Sequence, residues 1–81
     1  MSQTYHIQWF GLLSERRGIP EETIQHAAIT PAELYRQLAE THPLGLAMSD
    51  LRAAVNDEFI PWDHLLKDGD HIAFLPPMSG G

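Results

Sequence analysis

The chain has 81 residues, 43% hydrophobic and 20% charged, which is the balance of one small globular domain with no room for a second core. Five Lys and Arg stand against eleven Asp and Glu, a net charge of −6, and this excludes the clustered cations that nucleic acid or an anionic membrane surface requires. The absence of cysteine excludes disulfides, thiolate metal sites and a thiol nucleophile, so sulfur handled by this protein would have to ride on the backbone's own end.

Tyr5-His6-Ile7-Gln8-Trp9-Phe10 alternates, with Tyr5, Ile7 and Trp9 on one face and His6, Gln8 and Phe10 on the other, and predicts a half-buried strand. Phe10 is an aromatic among polar neighbours: either it is shielded at the strand end or it belongs to a surface that something covers. Gly11 to Glu22 contains Gly18 and Pro20 and reads as a connection, with a helical turn near Leu13 to Arg17. Thr23 to Ala28 reads as a second strand, paired with the first across that long loop.

The helix start is the clearest local signal. Thr30 serves as N-cap, Pro31 sits at N1, Glu33 completes a capping box, and Ile29 and Leu34 form a hydrophobic staple. The helix should run from Pro31 to His42, because the residue before Pro43 disfavours the α conformation. Leu34 and Leu38 lie on one face, with Tyr35 and Ala39 beside them. Leu44 to Asp50 is a loop. Arg52 to Val55 is a short strand, Asn56-Asp57 a turn, and Phe59-Ile60 a fourth strand that Pro61 confines to an edge. Lys67-Asp68-Gly69-Asp70 is a tight turn with Gly69 at positive φ. In the last strand, His71 to Leu75, Ile72 and Phe74 face one way and His71, Ala73 and Leu75 the other. Two strands, a helix, then two or three short strands make an α+β roll, with one main helix across a small mixed sheet.

Local patterns offer no catalytic centre. His6, His26, His42, His64 and His71 form no i,i+4 pair and no HExxH arrangement, so no metal is expected. Asp68-Gly69-Asp70 lacks the remaining positions of a calcium loop, and Ser14, Ser49 and Ser79 have no triad partners in a motif. No bound cofactor is expected either. No signal peptide precedes the first strand and no apolar run approaches the ~18 residues of a membrane span, so a cytoplasmic chain is expected.

The end of the chain is more specific. Phe74-Leu75 runs into Pro76-Pro77, then Met78-Ser79-Gly80-Gly81. The prolines cannot extend a ladder and predict a stiff exit from the fold, while Gly80 and Gly81 could pass a channel too narrow for any side chain. The expectation is a folded body over residues 1–75 and a flexible tail over 76–81. Such a tail can deliver the Gly81 carboxylate to a partner's active site. That carboxylate is no electrophile at neutral pH until ATP converts it to an acyl-adenylate, whereupon a sulfur nucleophile can displace AMP. The apolar Phe10 and Leu75, joined by Phe59, are the candidate docking patch.

Ala53-Ala54-Val55-Asn56, Asp63, Leu66, Asp68-Gly69-Asp70 and Ala73 to Gly81 resemble the small subunit of molybdopterin synthase, of the MoaD/ThiS ubiquitin-like sulfur-carrier family. The resemblance spans the chain and is strongest from Leu51 to Gly81. It implies the β-grasp fold and no catalysis by the chain on its own. By this resemblance Gly81 is adenylated on an E1-like activating enzyme that uses ATP. A sulfur donor, a cysteine desulfurase or a rhodanese-type protein, makes the thiocarboxylate. The tail then enters the large subunit of a heterotetrameric synthase, where sulfur passes to cyclic pyranopterin monophosphate. The resemblance gives Gly81 the sulfur, Gly80, Ser79, Met78, Pro77 and Pro76 the threading, and Phe10, Phe59 and Leu75 the subunit interface. In one place the chain departs from the family: Ser14-Glu15 stands where an Arg-Glu pair is usual. The alternatives are a thiamine-pathway sulfur carrier, a ubiquitin-like protein modifier, or a binding module with an inert tail.

Overall fold

The computed structural model describes residues 2–76. Its elements are β1 (Gln3–Trp9), α1 (Leu12–Arg17), β2 (Glu21–His26), α2 (Pro31–Thr41), a 3-10 turn (Met48–Asp50), β3 (Arg52–Val55), β4 (Glu58–Ile60) and β5 (His71–Leu75). The strands form one sheet in the order β2-β1-β5-β3-β4. β1 and β5 run parallel, and the other neighbouring pairs are antiparallel. One helix across such a mixed sheet is the β-grasp arrangement.

The alternation of β1 sorts its side chains as expected. Tyr5, Ile7 and Trp9 are buried beside Ile72 and Phe74 of β5 and Ala53 and Val55 of β3. Leu34, Tyr35 and Leu38 of α2 close over them. Phe74 is fully buried at the centre, its ring 5.3 Å from both Trp9 and Tyr35 and 6.0 Å from Trp62. Among the described residues, no buried side-chain nitrogen or oxygen is left without a hydrogen-bond partner. The Tyr5 hydroxyl donates to the Ala28 carbonyl at 2.6 Å, and the Tyr35 hydroxyl to that of Leu46 at 2.6 Å. Burial pushes both phenols above their ordinary pKa.

Several boundaries differ from the sequence reading. β1 stops at Trp9, and Phe10 lies in the turn that follows. The first helical segment is a six-residue helix, ended by Gly18 at φ 89°, whose N–H bonds back to the Ser14 carbonyl. β2 starts earlier, at Glu21. In α2 the Glu33 amide donates to Thr30 Oγ1 at 3.2 Å, as a cap should, but the helix ends at Thr41 with His42 already extended. Ile29 remains 48% exposed over a buried Leu34, so the staple is not a closed apolar pair.

The opposite end of the sheet is tied by polar groups. Asn56 and Asp57 both take positive φ, which makes the β3–β4 connection a two-residue hairpin turn of the kind that matches strand twist. The buried Asp70 carboxylate accepts from the Lys67 amide at 2.8 Å and from Asn56 Nδ2 at 3.1 Å, and Asn56 Oδ1 accepts from the His71 amide at 3.1 Å. The Asp68-Gly69-Asp70 stretch is thus a structural turn that locks the start of β5 to the β3–β4 hairpin.

Candidate functional site

Because α2 covers one face of the sheet, the other face is left to solvent. The register aligns a complete row across it: Glu21, Gln8, Ala73, Ala54 and Phe59, one residue from each strand. Ala73 and Ala54 are too small to fill the middle, and the result is a concavity of about 640 Å³. Phe59 walls it on the β4 side, and Phe10 and Leu75 line it as well. Phe59 is 61% exposed and Phe10 38%. The structure therefore brings together the three apolar residues singled out in the sequence, although they come from a turn and two strands.

Two further features of this face were not foreseen. A second row holds Thr23, His6 and His71. The two imidazoles stack with centroids 4.6 Å apart, and His6 Nδ1 lies 2.9 Å from Thr23 Oγ1. Arg52, opposite Leu75 in the ladder, places its guanidinium 4.5 Å over the Phe59 ring. Strand alternation alone puts these residues on polar faces. What the sequence does not reveal is the parallel pairing of β1 with β5, which makes neighbours of residues at opposite ends of the chain.

The base of the tail is braced from the side. Gly11 adopts φ 54°, ψ −130°, a conformation that only glycine holds without strain, and a Cβ there would meet Pro76 Cγ at 3.1 Å. The missing side chain is what lets the proline settle against the β1–α1 turn, next to Phe10. Pro77, Met78, Ser79, Gly80 and Gly81, which carry the sulfur and threading expectations, lie outside the described residues.

The α1 region has its charges tied into the fold. Arg17 grips Glu22 through Nε at 2.7 Å and Nη2 at 2.8 Å, and Trp9 Nε1 donates to the same carboxylate at 2.7 Å. Burial works to raise the Glu22 pKa, but the hydrogen bonds from Arg17 and Trp9 outweigh it and hold the carboxyl below its usual range. Arg16 reaches the Leu44 carbonyl at 3.3 Å. Ser14, in the position where the resemblance leads one to expect arginine, bonds through Oγ to the Gly11 carbonyl at 3.0 Å and so closes the first turn of α1.

Among the described residues, no three His, Asp or Glu side chains are grouped to hold a metal. No described helix is long and apolar enough to cross a membrane. The arrangement offers a concave, partly apolar face whose lining includes Leu75, next to Pro76 at the end of the described residues.

The same composition of parts recurs in known proteins. A molybdopterin synthase sulfur carrier subunit from Chlamydomonas reinhardtii is 35% identical over 79 residues, covering 93% of this chain and 95% of that protein. The subunit of that name from Escherichia coli K12 is 47% identical over 45 residues, a stretch that spans 53% of this chain and 56% of the bacterial one. Among solved structures, a complex of subunits 1 and 2 of the molybdopterin-converting factor from Helicobacter pylori contains a chain that is 31% identical. It superposes with a TM-score of 0.67 over 98% of this chain and 100% of its own. The description of the ThiS family matches residues 7–81. With a match over nearly its whole length and a relative aligned almost end to end, the chain belongs to the ThiS family.

Proposed function

We propose that this chain is the sulfur carrier subunit of molybdopterin synthase and that it works through its carboxyl end at Gly81. The observation that carries this reading is the near end-to-end likeness to a subunit of that name. The geometry is consistent with it. β5 is held between β1 and β3, so the segment leading to the tail is anchored in the middle of the sheet. Pro76 is braced on Gly11, and the open face beside it offers Phe10, Phe59 and Leu75 to a partner. The folded body is the handle and the tail is the reactive arm.

The chemistry then takes place in the cytoplasm, on partners. An E1-like enzyme lets the Gly81 carboxylate attack the α-phosphate of ATP, releasing pyrophosphate and leaving an acyl-adenylate. The terminal sulfur of a persulfide on a cysteine desulfurase or a rhodanese-type donor displaces AMP to give an acyl disulfide. A thiol reductant cleaves its S–S bond, releasing the thiocarboxylate and leaving the donor's sulfur in a disulfide with that thiol. The tail, with Gly80, Ser79, Met78, Pro77 and Pro76 behind it, enters the large subunit of a heterotetrameric synthase. There the sulfur passes to cyclic pyranopterin monophosphate, and water restores the carboxylate. The catalytic side chains belong to the large subunit, and this chain supplies binding and sulfur. The glycines suit a narrow tunnel because any Cβ would have to be accommodated in it.

The test is removal of Gly81. Molybdopterin formation in a reconstituted synthase should disappear, while affinity for the large subunit stays within about threefold of the parent, since the docking face is untouched. Synthesis retained without Gly81 would end the proposal. Intact mass after incubation with activating enzyme, ATP and sulfur donor should show oxygen replaced by sulfur at the C-terminus. A ladder of lysine conjugates in cells would instead favour the modifier alternative.

A further inference from the structure

Arg52 stands apart from the other cations of the chain. Arg16 and Arg17 lie on α1, engaged with the Leu44 carbonyl and with Glu22, Arg36 lies on α2, and Lys67 lies in the turn before β5. Of the five Lys and Arg, only Arg52 belongs to a strand, in register with Leu75 and on the same face as Phe59. The Arg17–Glu22 pair is the single ion pair among the described residues, so no described carboxylate neutralises Arg52.

Stacking on Phe59 has two physical consequences. It restrains a long side chain before any partner arrives, so less rotamer entropy remains to be lost on binding. It also engages the flat face of the guanidinium and leaves the N–H groups at its edge available. A planar cation with a free edge matches a carboxylate, which accepts two parallel N–H bonds. The rest of the molecule sharpens the match. With a net charge of −6, the chain suits a partner surface that is basic overall. A lone cation on the docking face gives such a partner one position at which an acidic group is welcome and a basic one is repelled.

We infer that Arg52 is a specificity-determining residue of the docking face. Held on the Phe59 ring, it receives a carboxylate of the large subunit at the rim of the apolar patch and so fixes the orientation in which that partner meets the tail. The inference rests on the sulfur-carrier reading above.

The experiment titrates the full-length chain against the purified large subunit of the same source by calorimetry, between about 50 and 500 mM salt. The parent is compared with Arg52→Gln, Arg52→Lys and Arg52→Glu. Arg52→Gln should bind about three- to tenfold more weakly at low salt, and Arg52→Glu more than about tenfold. Arg52→Lys should fall between the parent and Arg52→Gln, because it keeps the charge but loses the fork and most of the stack. The differences should shrink at high salt, with melting temperatures within about 2 °C of one another. Equal affinity of the parent and Arg52→Glu would overturn the inference. So would a loss common to all three variants, independent of salt and accompanied by lower melting temperatures, since that would assign Arg52 to holding Phe59 in place. Failure of the parent itself to bind would overturn the sulfur-carrier reading and this inference together, a result distinct from the other two.

Discussion

At the scale of single residues, the most informative group away from the tail is Glu22. It sits on the core side of β2, takes both arms of Arg17 and the Trp9 indole N–H, and its side chain is only 11% exposed. A carboxylate so placed binds protons less readily folded than unfolded. Above the unfolded value of about 4.5 it is ionised in both states and its full contribution to stability is present. As pH falls below that value the unfolded chain takes up the proton first, and the contribution is lost as pH drops through the depressed folded value. Glu22→Gln should therefore cost about 1.5–3 kcal/mol at neutral pH, the range for hydrogen bonds to a charged group. Urea midpoints of parent and variant should converge as pH falls below 4.5. A constant gap down to pH 3 or so would show that the loss is one of packing and not of charge.

At the scale of elements, the junction of β1, α1 and β5 matters most to function. Gly11 turns the chain through positive φ and makes room for Pro76, so the base of the tail and the position of Phe10 share one support. Gly11→Ala should lower stability by about 1–2 kcal/mol through backbone strain, and should also shift Pro76 and weaken large-subunit binding. Unchanged binding, with only a lower melting temperature, would show that the brace serves the fold alone. This junction also marks where sequence reading reaches its limit. The start of α2 was legible because a cap is local: Thr30, Pro31 and Glu33 decide it within four residues. The core faces of β1 and β5 were legible from period-two alternation, and Gly69 and Asn56-Asp57 from turn chemistry. The contact of Gly11 with Pro76, the His6–His71 stack and the Arg52–Phe59 stack were not, because each depends on pairings between segments distant in sequence. The end of β1 was misjudged for a local reason. Phe10 continues the alternation, but the glycine after it turns the chain out of the sheet.

At the scale of the whole molecule, the proposed function would make one sheet face and one chain end serve every partner. Phe10, Phe59 and Leu75 line the concavity of that face, and Leu75 leads directly into Pro76 at the base of the tail. On the sulfur-carrier reading proposed above, an activating enzyme would hold the Gly81 carboxylate against ATP and the large subunit would hold the same atom against its pterin substrate, so neither could act while the other has the tail. If both also grip the open face, exchange between them requires complete release of the body, and moderate affinity serves turnover better than tight binding. Adenylation of Gly81 should then fall as large subunit is added, in proportion to the carrier drawn into the complex. A carrier with Phe59→Asp, whose grip on the large subunit should be weakened about tenfold or more, should resist that inhibition. Initial rates of pyrophosphate release, measured with saturating ATP and increasing large subunit, would decide the matter. A rate that stays constant while the carrier is demonstrably bound would mean that the tail remains accessible within the complex, and that sulfur is reloaded without the subunits parting.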